Sequence, residues 1–126
     1  LSGRSGVGGL SRNPYDLRRC ACGASSGSAA AVAAAFVPVA IGTATNGSIT
    51  CPAAVMGLVG LKPTVGLVSR RHIVPLSPRQ DSAGPITQTV EDAAMLLSAL
   101  AGSDPQDPAT RDADSHVENY VGALSV

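Results

Sequence analysis

The chain has 126 residues, of which 44% are hydrophobic and 14% are charged, and its formal net charge is zero. This length is typical of one modest domain, and the neutral balance excludes the strongly basic surface of a nucleic-acid binder. The richest apolar stretch is mostly alanine and is interrupted by Pro38, so no membrane span is predicted. The three cysteines are too few for a secreted disulfide scaffold, so we expect buried thiols and a reducing, cytoplasmic location.

The first half of the chain is predicted to run from a loop into a helix and then a strand. Residues 1–28 are rich in Gly, Ser and Arg without periodicity, which favours a loop. An alanine-rich run that starts at Ser28 predicts a closely packed interior helix, and Pro38 ends it. The apolar run Val39–Thr43 is typical of a buried strand, and the following Asn46-Gly47 pair favours a tight turn.

The middle of the chain is predicted to contain short elements joined by turns. Pro52 favours the start of a short helix that reaches Gly57, and residues 58–61 form a short apolar run typical of a strand. Residues 64–86 are interrupted by two glycines and three prolines, so this region is predicted to consist of turns and extended pieces.

The clearest predicted element is a helix from about Val90 to Ala101. Thr89 and Asp92 resemble a capping box at its start, and apolar residues recur at helical spacing on one face. Residues 103–126 contain several acids and two prolines, which indicates a linker or surface loop and the start of a following segment.

Two serine-bearing turns could carry chemistry, one at residues 23–28 and the other at residues 43–49. A serine in a tight turn of small residues can present its hydroxyl beside free backbone N–H groups. Such a turn exposes a nucleophile and also supplies donors that stabilise the oxyanion of an acyl-transfer reaction. Taken singly, each turn is also explained as an ordinary Gly/Ser turn.

Together, these turns and their flanking motifs resemble the amidase signature family of serine hydrolases. The resemblance covers about residues 11–111, in order and nearly without gaps. It is carried by Gly-Ala-Ser-Ser-Gly-Ser-Ala-Ala-Ala-Val-Ala-Ala from residue 23, Asn-Gly-Ser-Ile-Thr-Cys-Pro-Ala-Ala from residue 46 and Gly-Leu-Val-Gly-Leu-Lys-Pro-Thr from residue 57. Several motifs in the correct order are far more specific than one glycine-rich turn.

The resemblance implies an α/β/α fold around a large mixed sheet, in proteins several times longer than this chain. Residues 1–126 are therefore expected to be part of a single α/β domain, completed by the rest of a parent chain or by a second copy. The implied activity is hydrolysis of a small-molecule amide at its C–N bond, through an acyl-serine intermediate formed by a Ser–Ser–Lys triad. This chemistry implies neither a metal nor an organic cofactor.

Matched residue by residue, the resemblance assigns the nucleophile to Ser48. The bridging serine of the triad best matches Ser25, with Ser26 as its hydrogen-bonding neighbour. The implied oxyanion donors are four consecutive backbone N–H groups, those of Thr45, Asn46, Gly47 and Ser48.

Several departures from the family pattern put activity in doubt. The catalytic lysine has no match, because the only lysine of the chain, Lys62, belongs to the separate Leu-Lys-Pro-Thr motif. Ala44 and Thr50 replace the usual Asp and Arg, and Asn46 replaces a glycine. One glycine is missing after the paired serines, so an alignment without a gap places Ala24 at the bridging position. We prefer the gapped alignment, which keeps the Ser-Ser-Gly run intact.

Three other interpretations compete with this one. The first is a non-catalytic, amidase-like remnant that packs against or binds a partner, so whether this chain is an enzyme stays open. The second is a nucleophile elbow at residues 23–27 with Asp104 and His116, which lacks the apolar strand that an elbow follows. The third is a metal site formed by four residues: Cys20, Cys22, Cys51 and His72. Its cysteines lack the paired Cys-x-x-Cys spacing that is typical of such sites.

Overall fold

A computed structural model describes residues 3–125 and shows helices packed on a three-stranded antiparallel sheet, with a separate two-stranded antiparallel sheet formed by the first two strands. Its strands are β1 (Arg4–Ser5), β2 (Gly9–Leu10), β3 (Val39–Ala44), β4 (Val59–Gly60) and β5 (Ser82–Thr87). Its helices are α1 (Ser26–Ala33), α2 (Thr50–Val55) and α3 (Val90–Leu100), and three 3-10 turns follow at Pro108–Thr110, Ala113–His116 and Gly122–Leu124. The predicted α/β class is confirmed.

The sheet that positions the two serine turns has the strand order β3-β5-β4. β5 pairs antiparallel with β3 along its whole length, from Val39 opposite Thr87 to Ala44 opposite Ser82. The main core lies where α1 and α2 pack against this sheet. Its fully buried members are mostly small, which lets the backbones approach closely: Ala21, Ala29, Val32, Ala44, Ile49, Met56 and Ile86.

Three of the predicted elements are confirmed with small shifts at their ends. α1 begins at Ser26 and ends well before Pro38, and β3 occupies the predicted apolar run. At the start of α3, the Thr89 hydroxyl oxygen accepts a hydrogen bond from the Asp92 N–H at 3.1 Å. Thr89 thus caps the helix as predicted, but the Asp92 carboxylate accepts from the Thr89 hydroxyl at 2.7 Å and not from the Thr89 N–H, as it would in a full capping box.

Residues 64–86 were predicted to consist of turns and extended pieces, and the breaks expected at Gly84 and Pro85 are absent, since both lie inside β5, a continuous strand whose residues are all buried. Pro85 has no N–H to donate, but its carbonyl accepts a hydrogen bond from the Leu61 N–H at 3.0 Å. The adjacent Gly84 gives the room for this contact, since a Cβ at that position would overlap the Leu61 carbonyl oxygen.

We therefore expect Gly84→Ala to lower the free energy of unfolding by about 2–3 kcal/mol through overpacking against backbone. Gly27→Ala is the matched control, because a Cβ on this glycine of α1 meets no atom within 4 Å. The control should stabilise the chain by up to about 1 kcal/mol, since alanine is the better helix former. Urea unfolding of both variants measures the two changes, and equal effects would contradict the packing argument.

The region after α3 is connected to the rest of the fold by a partly buried ion pair between Arg70 and Asp107. The Arg70 guanidinium contacts both carboxylate oxygens of Asp107, with Nε–Oδ2 at 3.0 Å and Nη2–Oδ1 at 2.9 Å. The Arg70 backbone N–H also donates to this carboxylate at 2.9 Å. The guanidinium holds the pKa of Asp107 well below its usual range. Within residues 103–125, Asp107, Thr110 and Ala113 are buried against the rest of the described chain.

Because the pKa of Asp107 is lowered by folding, its stabilisation is complete above the unfolded-state pKa near 4 and decreases progressively as the pH falls from there towards the lower folded-state pKa. We expect Asp107→Asn, which leaves the Arg70 charge unpaired, to lower the free energy of unfolding at pH 7 by about 3 kcal/mol. Asp112→Asn is the control, since its ion pair with Arg111 is exposed and loosely spaced at 3.9 Å. Urea unfolding at pH 7 and at pH 3 tests this, and an equal loss at both pH values would contradict it.

Candidate active site

The two serine turns meet at a small cleft of about 130 Å³. One side is formed by the turn before α1, another by the end of β3 and the loop after it, and the third by the 73–81 segment. Its lining residues are Ala24, Thr43, Ala44, Thr45, Ser48, Ile73, Val74, Leu76 and Asp81. A larger cavity of about 560 Å³ between residues 64–67 and 109–120 contains none of the predicted catalytic or oxyanion residues.

Ser48 lies in this cleft, immediately before the residue that caps α2. Its hydroxyl makes no hydrogen bond with any residue between 3 and 125, and its carbonyl accepts one from the Ser25 N–H at 3.2 Å. Close packing brings the turns together at Gly23, where a Cβ would lie 3.0 Å from the Ser48 Cα. Gly23 has a φ of +59°, so both its conformation and its lack of a side chain are needed here.

Ser25 is 6% exposed, and its hydroxyl is used by the backbone of β3. The Ser25 Oγ donates to the Thr43 carbonyl at 2.9 Å and accepts from the Thr43 N–H at 3.0 Å. This pair of bonds fastens the start of α1 to the strand. Ser25 does not line the cleft, whereas Ala24 does, and Ser26 is buried on the first turn of α1.

The loop between Thr45 and Ser48 contains the predicted oxyanion donors. The Asn46 side-chain carbonyl accepts a hydrogen bond from the Gly47 N–H at 2.8 Å, so one of the four donors already has an acceptor. The Asn46 and Ser48 N–H groups have no acceptor in the part of the chain that the structure describes. Asn46, which replaces the family's glycine, thus occupies the Gly47 N–H and leaves at least the Asn46 and Ser48 N–H groups available as oxyanion donors.

Asp81 is a cleft residue that sequence analysis missed. Its carboxylate accepts hydrogen bonds from the Thr45 hydroxyl at 2.7 Å and from the Leu76 and Ser77 N–H groups at 2.7 and 2.8 Å. The Thr45 hydroxyl is the main cause that lowers the pKa of this carboxyl. Asp81 therefore ties the oxyanion loop to the 73–77 segment. Its position in the sequence, immediately before β5, gave no sign of these partners.

A disulfide between Cys22 and Cys51 crosslinks the two serine turns, with a Cα–Cα distance of 5.8 Å. The expectation of buried free thiols was wrong, because the close packing of Gly23 on Ser48 brings the two cysteines together. Cys20 is free, and it is exposed. The inference of a reducing, cytoplasmic location rested on the low number of cysteines, and it stays a prediction.

The bridge also excludes the metal-site interpretation, since two of its three thiols are bonded to each other. The elbow interpretation would make Ser25 the nucleophile, but the Thr43 backbone already engages the Ser25 hydroxyl as both donor and acceptor. Asp104 accepts a hydrogen bond from the Ser69 hydroxyl at 2.7 Å. Among residues 3–125, no helix is long and apolar enough to cross a membrane.

Known proteins with similar sequences and structures agree on one family. Residues 1–124 match the model of the Amidase family. The chain is 56% identical over 116 residues to a subunit of the glutamyl-tRNA(Gln) amidotransferase of Geobacillus stearothermophilus, and the match covers 92% of this chain and 24% of that protein. The peptide amidase of Stenotrophomonas maltophilia is 55% identical with a TM-score of 0.93, over 98% of this chain and 26% of that one.

An amidase family protein of Bacillus anthracis is 47% identical with a TM-score of 0.89, over 94% of this chain and 24% of that chain. The chain thus spans about a quarter of the length of the relatives it matches. These matches confirm the resemblance that the motifs indicated, and the chain belongs to the Amidase family.

Proposed function

We propose that this chain supplies the nucleophile and oxyanion loop of an enzyme that hydrolyses the C–N bond of a carboxylic amide. The observation that carries the proposal is the Ser48 hydroxyl, which lies in the cleft and makes no hydrogen bond to any of residues 3–125. Beside it, the Asn46 and Ser48 N–H groups lack acceptors within residues 3–125. A free hydroxyl next to free backbone donors is the arrangement that acyl transfer requires.

In this mechanism, the Ser48 Oγ attacks the carbonyl carbon of the amide as its proton passes to a base. The loop N–H groups stabilise the negative oxygen, the C–N bond breaks with protonation of the leaving nitrogen, and an acyl-serine remains. Water then hydrolyses the ester. Lys62 does not line the cleft, so the lysine of the relay has no counterpart among residues 1–126.

The geometry bears on which residue holds the bridging position between Ser48 and that lysine. Two observations support the ungapped alignment, which places Ala24 there. Ala24 lines the cleft together with Ser48, and the Ser25 hydroxyl is engaged as both donor and acceptor by the Thr43 backbone. We therefore propose Ser48 as the nucleophile, with Ala24 at the bridging position in place of the Ser25 that the motif pattern favoured.

A second candidate function, a non-catalytic binding module, is favoured by the same alanine. Without a hydroxyl at residue 24, the cleft lacks a relay for the Ser48 proton but keeps its free backbone donors. Such a site would hold a carbonyl or carboxylate oxygen without cleaving a bond. The Asn46 side chain also occupies the Gly47 N–H, so one of the four oxyanion donors is not available for catalysis. This loss favours the non-catalytic function.

The relatives suggest substrates and partners, which we carry over as part of the proposal. One relative is named as a peptide amidase and another as one of the subunits of a glutamyl-tRNA(Gln) amidotransferase. We propose that this chain acts on a small-molecule amide within a longer polypeptide or beside a partner chain. Residues 1–126 would form part of one domain there.

A chimera tests the proposed nucleophile. In it, residues 3–125 replace the matching quarter of the Stenotrophomonas peptide amidase, and Ala24→Ser is included. We expect this chimera to hydrolyse peptide amides, and Ser48→Ala to lower the rate by at least about 10³-fold. The control is Ser98→Ala, an exposed serine of α3 outside the cleft, which should leave the rate unchanged. A folded chimera that keeps its rate after Ser48→Ala would refute the assignment.

A further inference from the structure

The Cys22–Cys51 bridge joins the two chain segments that form the serine cleft. Cys22 lies two residues before Ala24, and Cys51 lies on the first turn of α2, three residues after Ser48. Both half-cystines are partly exposed. Opening the bridge would remove the covalent link between the two sides of the cleft.

A free thiol lies directly beside this bridge. Cys20 is exposed, and its Sγ accepts a hydrogen bond from the Cys22 N–H at 3.2 Å. Cys22 itself has a φ of +56°, a left-handed conformation that is uncommon for a residue other than glycine. The thiol of Cys20 is thus held against the backbone of a half-cystine.

The surroundings of Cys20 are positively charged. Arg12 lies opposite Cys20 in an antiparallel backbone bridge, and Arg18 and Arg19 precede it in the chain. Asp16 is the one carboxylate within this segment, 12–20, and it contacts the Nε of Arg18 at 3.0 Å and the Nε of Arg19 at 3.6 Å. The segment thus carries three positive charges and one negative charge, and this excess of positive charge favours the approach of an anionic reagent.

We propose that Cys20, Cys22 and Cys51 form a thiol–disulfide exchange site that takes small thiols and disulfides bearing carboxylate groups. The Cys20 thiolate attacks one sulfur of the bridge, so that a new S–S bond forms as the Cys22–Cys51 bond breaks. The electron pair leaves with the displaced sulfur, and the step involves no net oxidation. The displaced thiolate then attacks a small disulfide, which gives a mixed disulfide on the protein and releases one small thiolate.

This site would act on the cleft without taking part in amide hydrolysis. Exchange frees one of the two half-cystines, so the turn that contains Ala24 is no longer fixed covalently to its original position near Ser48. The exchange involves only the three cysteine sulfurs and the small reagent, so it does not depend on the proposed hydrolysis.

The first test incubates the oxidised full chain with oxidised glutathione and maps the adducts by tandem mass spectrometry without reduction. We expect glutathione on Cys22 or Cys51 as well as on Cys20. Cys20→Ser should lower the adducts on the other two cysteines by at least about tenfold, because the attacking thiol is lost. The proposal would be overturned by adducts confined to Cys20, or by adducts on Cys51 that are unchanged in Cys20→Ser. It would also be overturned if the chain, prepared under oxidising conditions, contained three free thiols and therefore no bridge.

The second test addresses the reagent class by comparing dithiodipropionate, a dianion, with cystamine, a dication. Each rate is divided by the rate with the urea-unfolded chain, which removes the intrinsic reactivity of the reagent. We expect the folded chain to favour the dianion by at least about threefold at low salt and Arg12→Gln to weaken this preference. Arg79→Gln, which removes an exposed arginine outside the 12–20 segment, is the control. Equal normalised rates for the two reagents would overturn the assigned class.

Discussion

Replacing Ala24 by serine is expected to raise the amide-hydrolysis rate of the peptide amidase chimera by about 10²- to 10⁴-fold. The reason is that Ala24 lines the cleft with Ser48, where a hydroxyl could accept the nucleophile's proton and pass it to a lysine of the surrounding chain. Ser48 without such a relay keeps a hydroxyl of very low acidity. Steady-state kinetics of the chimera with and without Ala24→Ser measure the difference, which should appear in kcat.

Ser25→Ala in the same Ala24→Ser chimera separates the two alignments. If Ser25 only fastens α1 to β3, its loss removes two hydrogen bonds to the Thr43 backbone and destabilises the protein by about 1–3 kcal/mol. The rate of the folded fraction should then change little. A loss of at least about 10²-fold in kcat after Ser25→Ala, with no gain from Ala24→Ser, would restore Ser25 to the bridging position.

Removing the Cys22–Cys51 bridge is expected to lower the free energy of unfolding by about 3.5 kcal/mol. The two cysteines are 29 residues apart, and the chain-entropy model gives this value for an unfolded-state loop of that size. The double variant Cys22→Ser, Cys51→Ser should show the loss in urea unfolding under non-reducing conditions. Reduction of the unaltered chain should show a loss of similar size.

Cys20→Ser is the matched control for the bridge, because it removes an exposed, free thiol and keeps the crosslink. We expect it to change the free energy of unfolding by less than about 0.5 kcal/mol. If the control and the double variant were equally destabilised, the effect would come from the serine substitutions and the bridge would contribute nothing to stability.

The elements that the sequence predicted well are those whose signal is local. The alanine run of α1, the apolar run of β3 and the capped periodicity of α3 depend on residues close together in the chain. β5 was missed because Gly84 and Pro85 are turn residues by local rules, whereas their role depends on the Leu61 backbone, which reaches them from a distant segment.

Family motifs identified the serine cleft, but they did not give the direction of each side chain. Ser25 matches the motif pattern, yet the Thr43 backbone of β3 uses its hydroxyl, and that contact joins residues 18 apart. The Thr45–Asp81 hydrogen bond spans 36 residues, and the Cys22–Cys51 bridge spans 29. Contacts of this kind follow from tertiary packing, so composition and spacing along the chain gave no sign of them.

The most direct test of the central claim, that Ser48 is the nucleophile of an amidase site, is to locate the covalent adduct of a fluorophosphonate by mass spectrometry. We predict one adduct on Ser48 in the chimera that carries Ala24→Ser, and no adduct on residues 3–125 after Ser48→Ala. An adduct on Ser25, Ser26 or another residue, or labelling that persists after Ser48→Ala, would contradict the account.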